Sequence, residues 1–184
     1  GGVILCGANE ELTRLAKRLN VPVTMTLMGL GGFPGSEPLS LGMLGMHGSY
    51  AANMSVAKSD VLIAVGSRFD DRVTGRLDAF APQAKIIHID IDPSSISKNV
   101  KVDIPIVADC KLALAAMNAW LDTSSEFNGE EIKAQHQPWV DQVMEWNEKH
   151  PLSYMDAGEV IKPQYVIEKL QELQGQQNMK LGEM

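Results

Sequence analysis

The sequence predicts an α/β domain built on an open parallel sheet with helices packed on both faces. Two observations predict it. Short apolar runs of strand length, such as Val3-Ile4-Leu5-Cys6 and Val61-Leu62-Ile63-Ala64-Val65, alternate with segments whose apolar residues recur at helical spacing. Strand, helix and strand follow one another so closely that a parallel pair with a right-handed crossover is implied. A third observation concerns the site: the run Val61–Val65 stops at Gly66 and opens into a loop carrying Arg68, Asp70, Asp71 and Arg72. In an open parallel sheet ligands bind beyond the carboxyl ends of the strands, so this charged loop lies where recognition is expected. A solvated loop of self-paired charges is the alternative.

In chain order, Val3 to Cys6 reads as the first buried strand and Gly7-Ala8-Asn9 as the turn after it. Leu12, Leu15, Ala16 and Leu19 then form the stripe of a helix packed on a sheet. Pro22 to Thr26 supplies the second strand. From Leu27 to Gly48 the pattern breaks into a long loop with many glycines and with apolar residues such as Leu30, Phe33, Leu39 and Leu41. Such a loop packs on something, its glycines serving either turns or close backbone approach to a ligand. Ser49 is placed to cap a helix from Tyr50 to Lys58, which leads into the strand Val61–Val65 and puts His47 beside a helix amino terminus.

Lys85 to Asp92 is a strand whose carboxyl end carries Asp90 and Asp92; these side chains suit ribose hydroxyls, while Asp92-Pro93-Ser94-Ser95 also reads as a turn capped by Asp92. Asp103 to Val107 adds a short strand, and Asp109 caps a helix with Leu114, Met117 and Leu121 on one face. Thr123 to Gly129 is a linker by composition. A helix from Gln135 to Lys149 follows from the spacing of Trp139, Val143 and Trp146. Pro163 opens a last helix with Val166, Ile167, Leu170 and Leu173 as its expected buried face, before a polar tail from Gln174 to Met184.

Composition narrows the function classes. Across 184 residues the hydrophobic fraction is 45% and the charged fraction 21%, as in ordinary globular proteins. The formal net charge of −7, with no Lys/Arg cluster, gives nucleic acid no electrostatic track. No apolar run approaches the ~20 residues that span a bilayer, and no basic leader precedes one, which points to a cytoplasmic protein without membrane contact. Cys6 and Cys110, far apart in sequence, fit neither a disulfide framework nor a paired-cysteine metal site and read as small core residues.

The usual dinucleotide fingerprint is absent from the first turn, Cys6-Gly7-Ala8-Asn9-Glu10, and so are a nucleophile elbow, a phosphate loop and a zinc-binding pair. No catalytic or metal residue is therefore assigned. What remains is a binding constellation of two arginines, glycine backbone and an acidic strand end, the set required by a pyrophosphate and a ribose. Arg68 and Arg72 are four apart, so a loop turning helically after Gly66 would aim both guanidinium groups one way; pairing with Asp70 and Asp71 is the alternative.

Four linked motifs are specific enough to name a family. Thr24-Met-Thr-Leu-Met-Gly-Leu-Gly-Gly-Phe-Pro-Gly, Leu41-Gly-Met-Leu-Gly-Met-His-Gly, Gly66-Ser-Arg-Phe-Asp-Asp-Arg-Val-Thr-Gly and His88-Ile-Asp-Ile-Asp-Pro-Ser closely resemble the catalytic subunits of acetolactate synthases. The resemblance runs from Gly1 to Asp122, and Ile161-Lys-Pro-Gln-Tyr-Val-Ile resembles the start of that family's third domain. It implies a three-layer, Rossmann-like middle domain at residues 1–122, with five or six strands in the order 3-2-1-4-5-6. It further implies an interdomain linker with one helix at 123–160, and at 161–184 the start of a thiamine-diphosphate-binding domain.

The family uses thiamine diphosphate and magnesium to join pyruvate to pyruvate or 2-oxobutyrate in branched-chain amino acid biosynthesis, as a homodimer or homotetramer with a regulatory small subunit. Its middle domain binds FAD, which does no net redox chemistry. The resemblance implies FAD contacts at Gly7, Ala8 and Asn9, at Thr26, Leu27 and Met28, and at Leu44, Gly45, Met46 and His47. Further contacts are implied at Gly66, Arg68, Asp70, Arg72 and Val73, and at Asp90, Ile91, Ser95, Asp109 and Cys110. Ala8 stands where the family usually has a further glycine, which would turn its methyl toward the pyrophosphate. Met46, Asp71 and Arg72 also correspond to positions beside the channel to the thiamine. The thiamine-activating carboxylate and the Gly-Asp-Gly diphosphate and magnesium motif belong to the family's other domains, so no synthase activity is expected of this chain alone. Two further readings stand beside this one: a structural or subunit-contact domain without flavin, and an NAD-dependent deacylase-like enzyme, which the lack of paired cysteines argues against.

Overall fold

The computed structural model describes residues 1–182 apart from 156, 157 and 159, with 175–182 described by backbone alone; most of the expected polar tail lies outside the described side chains. The chain divides into two compact units, Gly1–Pro151 and Leu152–Met184.

In the first unit the elements run α1 (Gly2–Leu5), α2 (Asn9–Leu19), β1 (Val23–Met25), β2 (Ser40–Met43), α3 (Tyr50–Lys58), β3 (Val61–Val65), α4 (Asp71–Thr74), β4 (Lys85–Asp90), β5 (Ile104–Val107), α5 (Cys110–Thr123) and α6 (Gly129–Lys149). Short 3-10 turns stand at Leu27–Gly29, Leu77–Ala79 and Pro93–Ser95. All strand pairs are parallel, and helices flank them, as the sequence predicts for a Rossmann-like fold.

The sheet differs from expectation in one respect that matters. Five strands are present among the described residues, but they form two sheets, β1-β2 and β3-β4-β5, and not one sheet in the order 3-2-1-4-5-6. The stretch expected to be the first strand, Val3 to Cys6, is instead a turn of helix. Leu5 and Cys6 donate their N–H groups to the carbonyls of Gly1 and Gly2 at 3.1 and 3.0 Å, and Val3 is buried against Leu15 and Leu114. An apolar run of four residues carries no periodicity, and backbone bonds closed locally decide its state. β1 accordingly pairs with β2, which lies inside the stretch read as a loop. Gly42, at φ +71°, interrupts the alternation by which β2 would have been recognised.

β3, β4 and β5 follow their predicted positions closely. Val61 to Val65 register without a break against Lys85 to Ile89, and Ile87 to Asp90 against Ile104 to Val107. β4 ends at Asp90, leaving Asp92 in the following turn, where it caps as the sequence suggests by accepting the Ser94 N–H at 2.9 Å. The predicted caps of α3 and α5 are also in place: Ser49 accepts from the Ala52 N–H, and Asp109 from those of Lys111 and Leu112. Helix α6 begins at Gly129, earlier than the spacing of its aromatics marks, capped by Asn128. It packs on α2 and α3: Val140 joins Ala16, Met25, Phe33 and Leu39 in one core cluster, and Val143 joins Leu41 and Ala52 in another. Trp139 and Trp146 meet edge to face beside it.

The second unit contains α7 (Pro163–Gly182), opened by Pro163 as predicted. Its expected buried face is not buried. Val166, Ile167, Leu170 and Leu173 are all exposed, because no other described element of that unit covers them.

Candidate functional site

The carboxyl ends of the strands gather most of the residues that the sequence nominates. Thr26, Leu27 and Met28 follow β1; Leu44, Gly45, Met46 and His47 follow β2; Gly66 and Arg68 follow β3; Asp90 and Ile91 end β4; Asp109 and Cys110 follow β5. Tertiary bonds stitch these ends together. Leu44 N–H donates to Met25 O at 3.2 Å, Met46 N–H to Arg72 O at 2.9 Å, Gly2 N–H to Gly66 O at 3.1 Å and Ala108 N–H to Asp90 O at 3.1 Å.

Gly45 explains one glycine in the loop. With φ at +90°, a Cβ there would stand 2.3 Å from Arg72 O, so the β2 end and α4 approach this closely only because a side chain is absent. Asn53, one turn into α3, holds the same residue from the other side. Its Oδ1 accepts the Gly45 N–H at 2.8 Å and its Nδ2 donates to Gly45 O at 3.0 Å. Sequence reading missed Asn53; its signal is a polar residue four after the helix cap, spaced to face back toward the loop.

The charged loop after β3 is shaped by Phe69, a residue the sequence reading passed over. At φ +55° it turns inward, 4% exposed, with Phe80 and His88 against its ring at centroid distances of 5.8 and 5.0 Å. Asn99 Nδ2 fixes its carbonyl at 2.9 Å. This left-handed residue breaks the helical continuity expected between Arg68 and Arg72: α4 starts only at Asp71, so the two arginines do not share a helix face. Arg68 pairs with Asp70 at 3.1 Å, both side chains exposed. Arg72 is exposed, and among the described residues its guanidinium has no ion pair.

Asp90 and His88 lie on the same face of β4. Asp90 is buried; its Oδ1 accepts the Asp92 N–H at 2.9 Å and its Oδ2 stands 3.8 Å from His88 Nε2. His88 is fully buried with no hydrogen bond to either ring nitrogen. Burial pushes its pKa below the ordinary value, outweighing Asp90 and the Ser67 backbone, which favour the charged form. The ring is thus a neutral wall behind Asp90. Ser95, capped into the same turn by Asp92, is buried as well.

Two nominated positions are placed differently from expectation. Ala8 is wholly buried in the cluster with Val3, Leu15 and Leu114, so its methyl is core and does not face a ligand; Gly7 beside it is exposed at φ +64° with open space where a Cβ would be. Cys6 and Cys110, distant in sequence, come close enough to act on each other electrostatically, while their thiols donate to backbone carbonyls, Cys6 to Val3 O at 3.6 Å and Cys110 to Ile89 O at 4.0 Å. Burial, with Cys6, Asp90 and Asp109 adding to it, pushes the Cys110 thiol up to about 11, which makes it an inert core group.

The strand ends therefore present Arg72, unpaired among the described residues, exposed glycine backbone, the carboxylates of Asp90 and Asp109 and the exposed apolar side chains of Leu27, Met28 and Met46. Comparison with known proteins shows the family of the chain. Residues 1–117 match the family model of the thiamine pyrophosphate enzyme central domain. The chain belongs to that family. Similar proteins include acetolactate synthases of a plant, an archaeon and a bacterium. The chloroplastic acetolactate synthase 1 of Zea mays is 49% identical over 91% of this chain and 26% of its own length. The probable acetolactate synthase large subunit of Methanocaldococcus jannaschii is 49% identical over 98% and 29%, and the isozyme 3 large subunit of Escherichia coli (strain K12) 45% identical over 92% and 29%. The chain thus spans less than a third of the length of these relatives.

Proposed function

We propose that this chain is the middle domain of an acetolactate synthase large subunit and that its strand ends bind FAD. The observation that carries the reading is the identity of 45–49% to acetolactate synthases along nearly the whole chain. In this reading residues 1–122 are the middle domain, 123–160 lead out of it, and 161–184 open the thiamine-diphosphate-binding domain. The whole enzyme then joins pyruvate to pyruvate or 2-oxobutyrate, with thiamine diphosphate and magnesium held outside this chain, as a cytoplasmic oligomer with a regulatory small subunit.

The residues present suit a flavin dinucleotide. Arg72, with no acidic partner among the described residues, supplies a charge-assisted donor for a phosphate, a bond worth ~1.5–3 kcal/mol when semi-buried. Asp90, and Asp109 through the oxygen its helix cap leaves over, accept from ribose hydroxyls. Leu27, Met28 and Met46 offer apolar surface to a ring system, and Gly7 lets backbone N–H groups approach an anion. Bound in this family, FAD organises the site without net redox chemistry. The chain's own residues only bind and orient it.

Titration of the purified chain with FAD, followed by flavin fluorescence, tests the assignment. Saturable binding is expected, weakened about tenfold or more by Arg72→Ala, since each lost charge-assisted bond exceeds 1.4 kcal/mol. A folded chain that leaves flavin fluorescence unchanged would instead make it a scaffold. The same chain supplied with pyruvate, thiamine diphosphate and magnesium is expected to form no acetolactate; any formation refutes the division of labour proposed here.

A further inference from the structure

Among the described residues His88 is the one polar side chain buried to 0% exposure, and neither of its ring nitrogens has a hydrogen-bond partner. Register sets Ala64 of β3 and Pro105 of β5 on either side of it, and neither carries a side-chain donor or acceptor. The Phe69 ring closes the same face edge-on, at a centroid distance of 5.0 Å. A phenylalanine or leucine would fill this position without stranding two polar atoms, so packing alone does not account for an imidazole here.

The ring stands within reach of one carboxylate. Asp90, two residues on, points to the same face of β4, and its Oδ2 stands 3.8 Å from His88 Nε2. That separation is too long for a hydrogen bond, and an approach of about 1 Å turns it into one. The other carboxylate oxygen is already occupied: Oδ1 accepts the Asp92 N–H at 2.9 Å, the one hydrogen bond to this carboxylate among the described residues.

The Asp90 side chain is 10% exposed, so water reaches the carboxylate only along a narrow edge at the strand end. A molecule seated on the strand ends covers that edge. The charge then needs a donor from the protein as well as from the molecule, because a buried carboxylate is stable only where its lone pairs are filled. Loss of water also strengthens its pull on a nearby N–H. A neutral imidazole has one N–H to give, and a carboxylate is a stronger acceptor than the Ser67 backbone, the other group that acts on the ring.

We propose, resting on the flavin reading above, that His88 is the positioning residue for Asp90. As FAD covers the strand ends, His88 Nε2–H donates to Asp90 Oδ2 and fixes the carboxylate to accept from the ribose hydroxyls. No proton changes hands: the ring stays neutral with its hydrogen on Nε2, and Asp90 stays charged. With Oδ1 held by the turn and Oδ2 by the ring, the carboxylate keeps one orientation, and its remaining lone pairs face the strand end.

FAD, and a form of FAD whose adenosine ribose lacks both hydroxyls, are titrated into the wild-type chain and into His88→Gln, His88→Asn and His88→Phe. Gln sets an amide nitrogen near the Nε2 position, Asn sets one near Nδ1, and Phe has none. The wild-type chain and His88→Gln are expected to bind FAD about tenfold more tightly than the form without hydroxyls. In His88→Asn and His88→Phe that ratio is expected to fall below about threefold, because Asp90 no longer holds the ribose. Damage to the fold would weaken both forms equally and leave the ratio unchanged; an unchanged ratio in His88→Phe overturns the proposal. Proton–nitrogen NMR of the wild-type chain needs no substitution. With FAD bound, the ring hydrogen is expected on Nε2, its resonance downfield of that in the free chain; a hydrogen on Nδ1 alone overturns the proposal. A folded wild-type chain that binds no FAD overturns the flavin reading and this proposal with it, whereas FAD binding with equal ratios overturns this proposal alone.

Discussion

The half of the first unit built on β3, β4 and β5 and the half built on β1 and β2 obey the same physics over very different distances along the chain. The core of the first half joins Ala64, Phe69, Ile86 and Val100, all from one continuous stretch. The core of the second joins Ala16, Met25, Phe33 and Leu39 to Val140 of α6, more distant in sequence than any other member. One half is completed by its neighbours in sequence, the other by a helix that arrives late. Where contacts are local, strand signals and structure coincide; in the other half β1 falls where its signal stands, but Val3 to Cys6 and β2 do not.

Breaking each core separately sharpens this contrast most. Phe33→Ala and Phe69→Ala each remove a buried aromatic and are expected to cost about 3–5 kcal/mol. If the halves are distinct, Phe33→Ala speeds hydrogen exchange chiefly at Val23, Met25 and Leu41, and Phe69→Ala chiefly at β3 and β4. Equal loss of protection throughout would show the two halves to be one cooperative unit.

The joint between the halves comes next. Gly45→Ala places a methyl against Arg72 O in a left-handed backbone and is expected to cost about 1–3 kcal/mol. It should also weaken FAD more than Gly7→Ala, which meets open space; the reverse order in a flavin titration would remove the β2–α4 contact from the site.

Acid acts on the β4 half through His88. His88 is neutral in the fold, with a pKa depressed below the unfolded value near 6.5, so the unfolded chain binds the proton first. Stability is therefore full above pH 6.5 and falls as pH drops from there through the folded value. In thermal unfolding, His88→Phe is expected to flatten this slope; an unchanged slope would assign it to other groups.

The smallest effects come from the caps, one in each half. Ser49→Ala and Asp109→Ala each remove an N-cap acceptor and are expected to cost about 1 kcal/mol, measured by urea unfolding. A much larger loss for Ser49→Ala would reflect its second bond, from Oγ to Leu41 O at 3.1 Å, which ties α3 to β2.

The sequence by itself determined the α/β class, β1, β3, β4 and β5, the caps at Ser49, Asp92 and Asp109, and the gathering of the nominated residues at strand ends. Each is written in short-range chemistry: apolar runs that bury on both faces, an oxygen beside a helix start, charges just past a strand. Tertiary structure alone decided the rest. Val3 to Cys6 closes a helical turn because its backbone bonds are made locally, and β2 forms because β1 offers it an edge. Arg68 and Arg72 do not share a helix face because Phe69 sinks into the core between them, and Arg68 pairs with Asp70 while Arg72 has no ion pair among the described residues. Cys6 and Cys110 come close for the same reason that Asn53 finds Gly45 and Val140 finds Phe33: packing joins residues by shape and burial, to which distance along the chain contributes no signal.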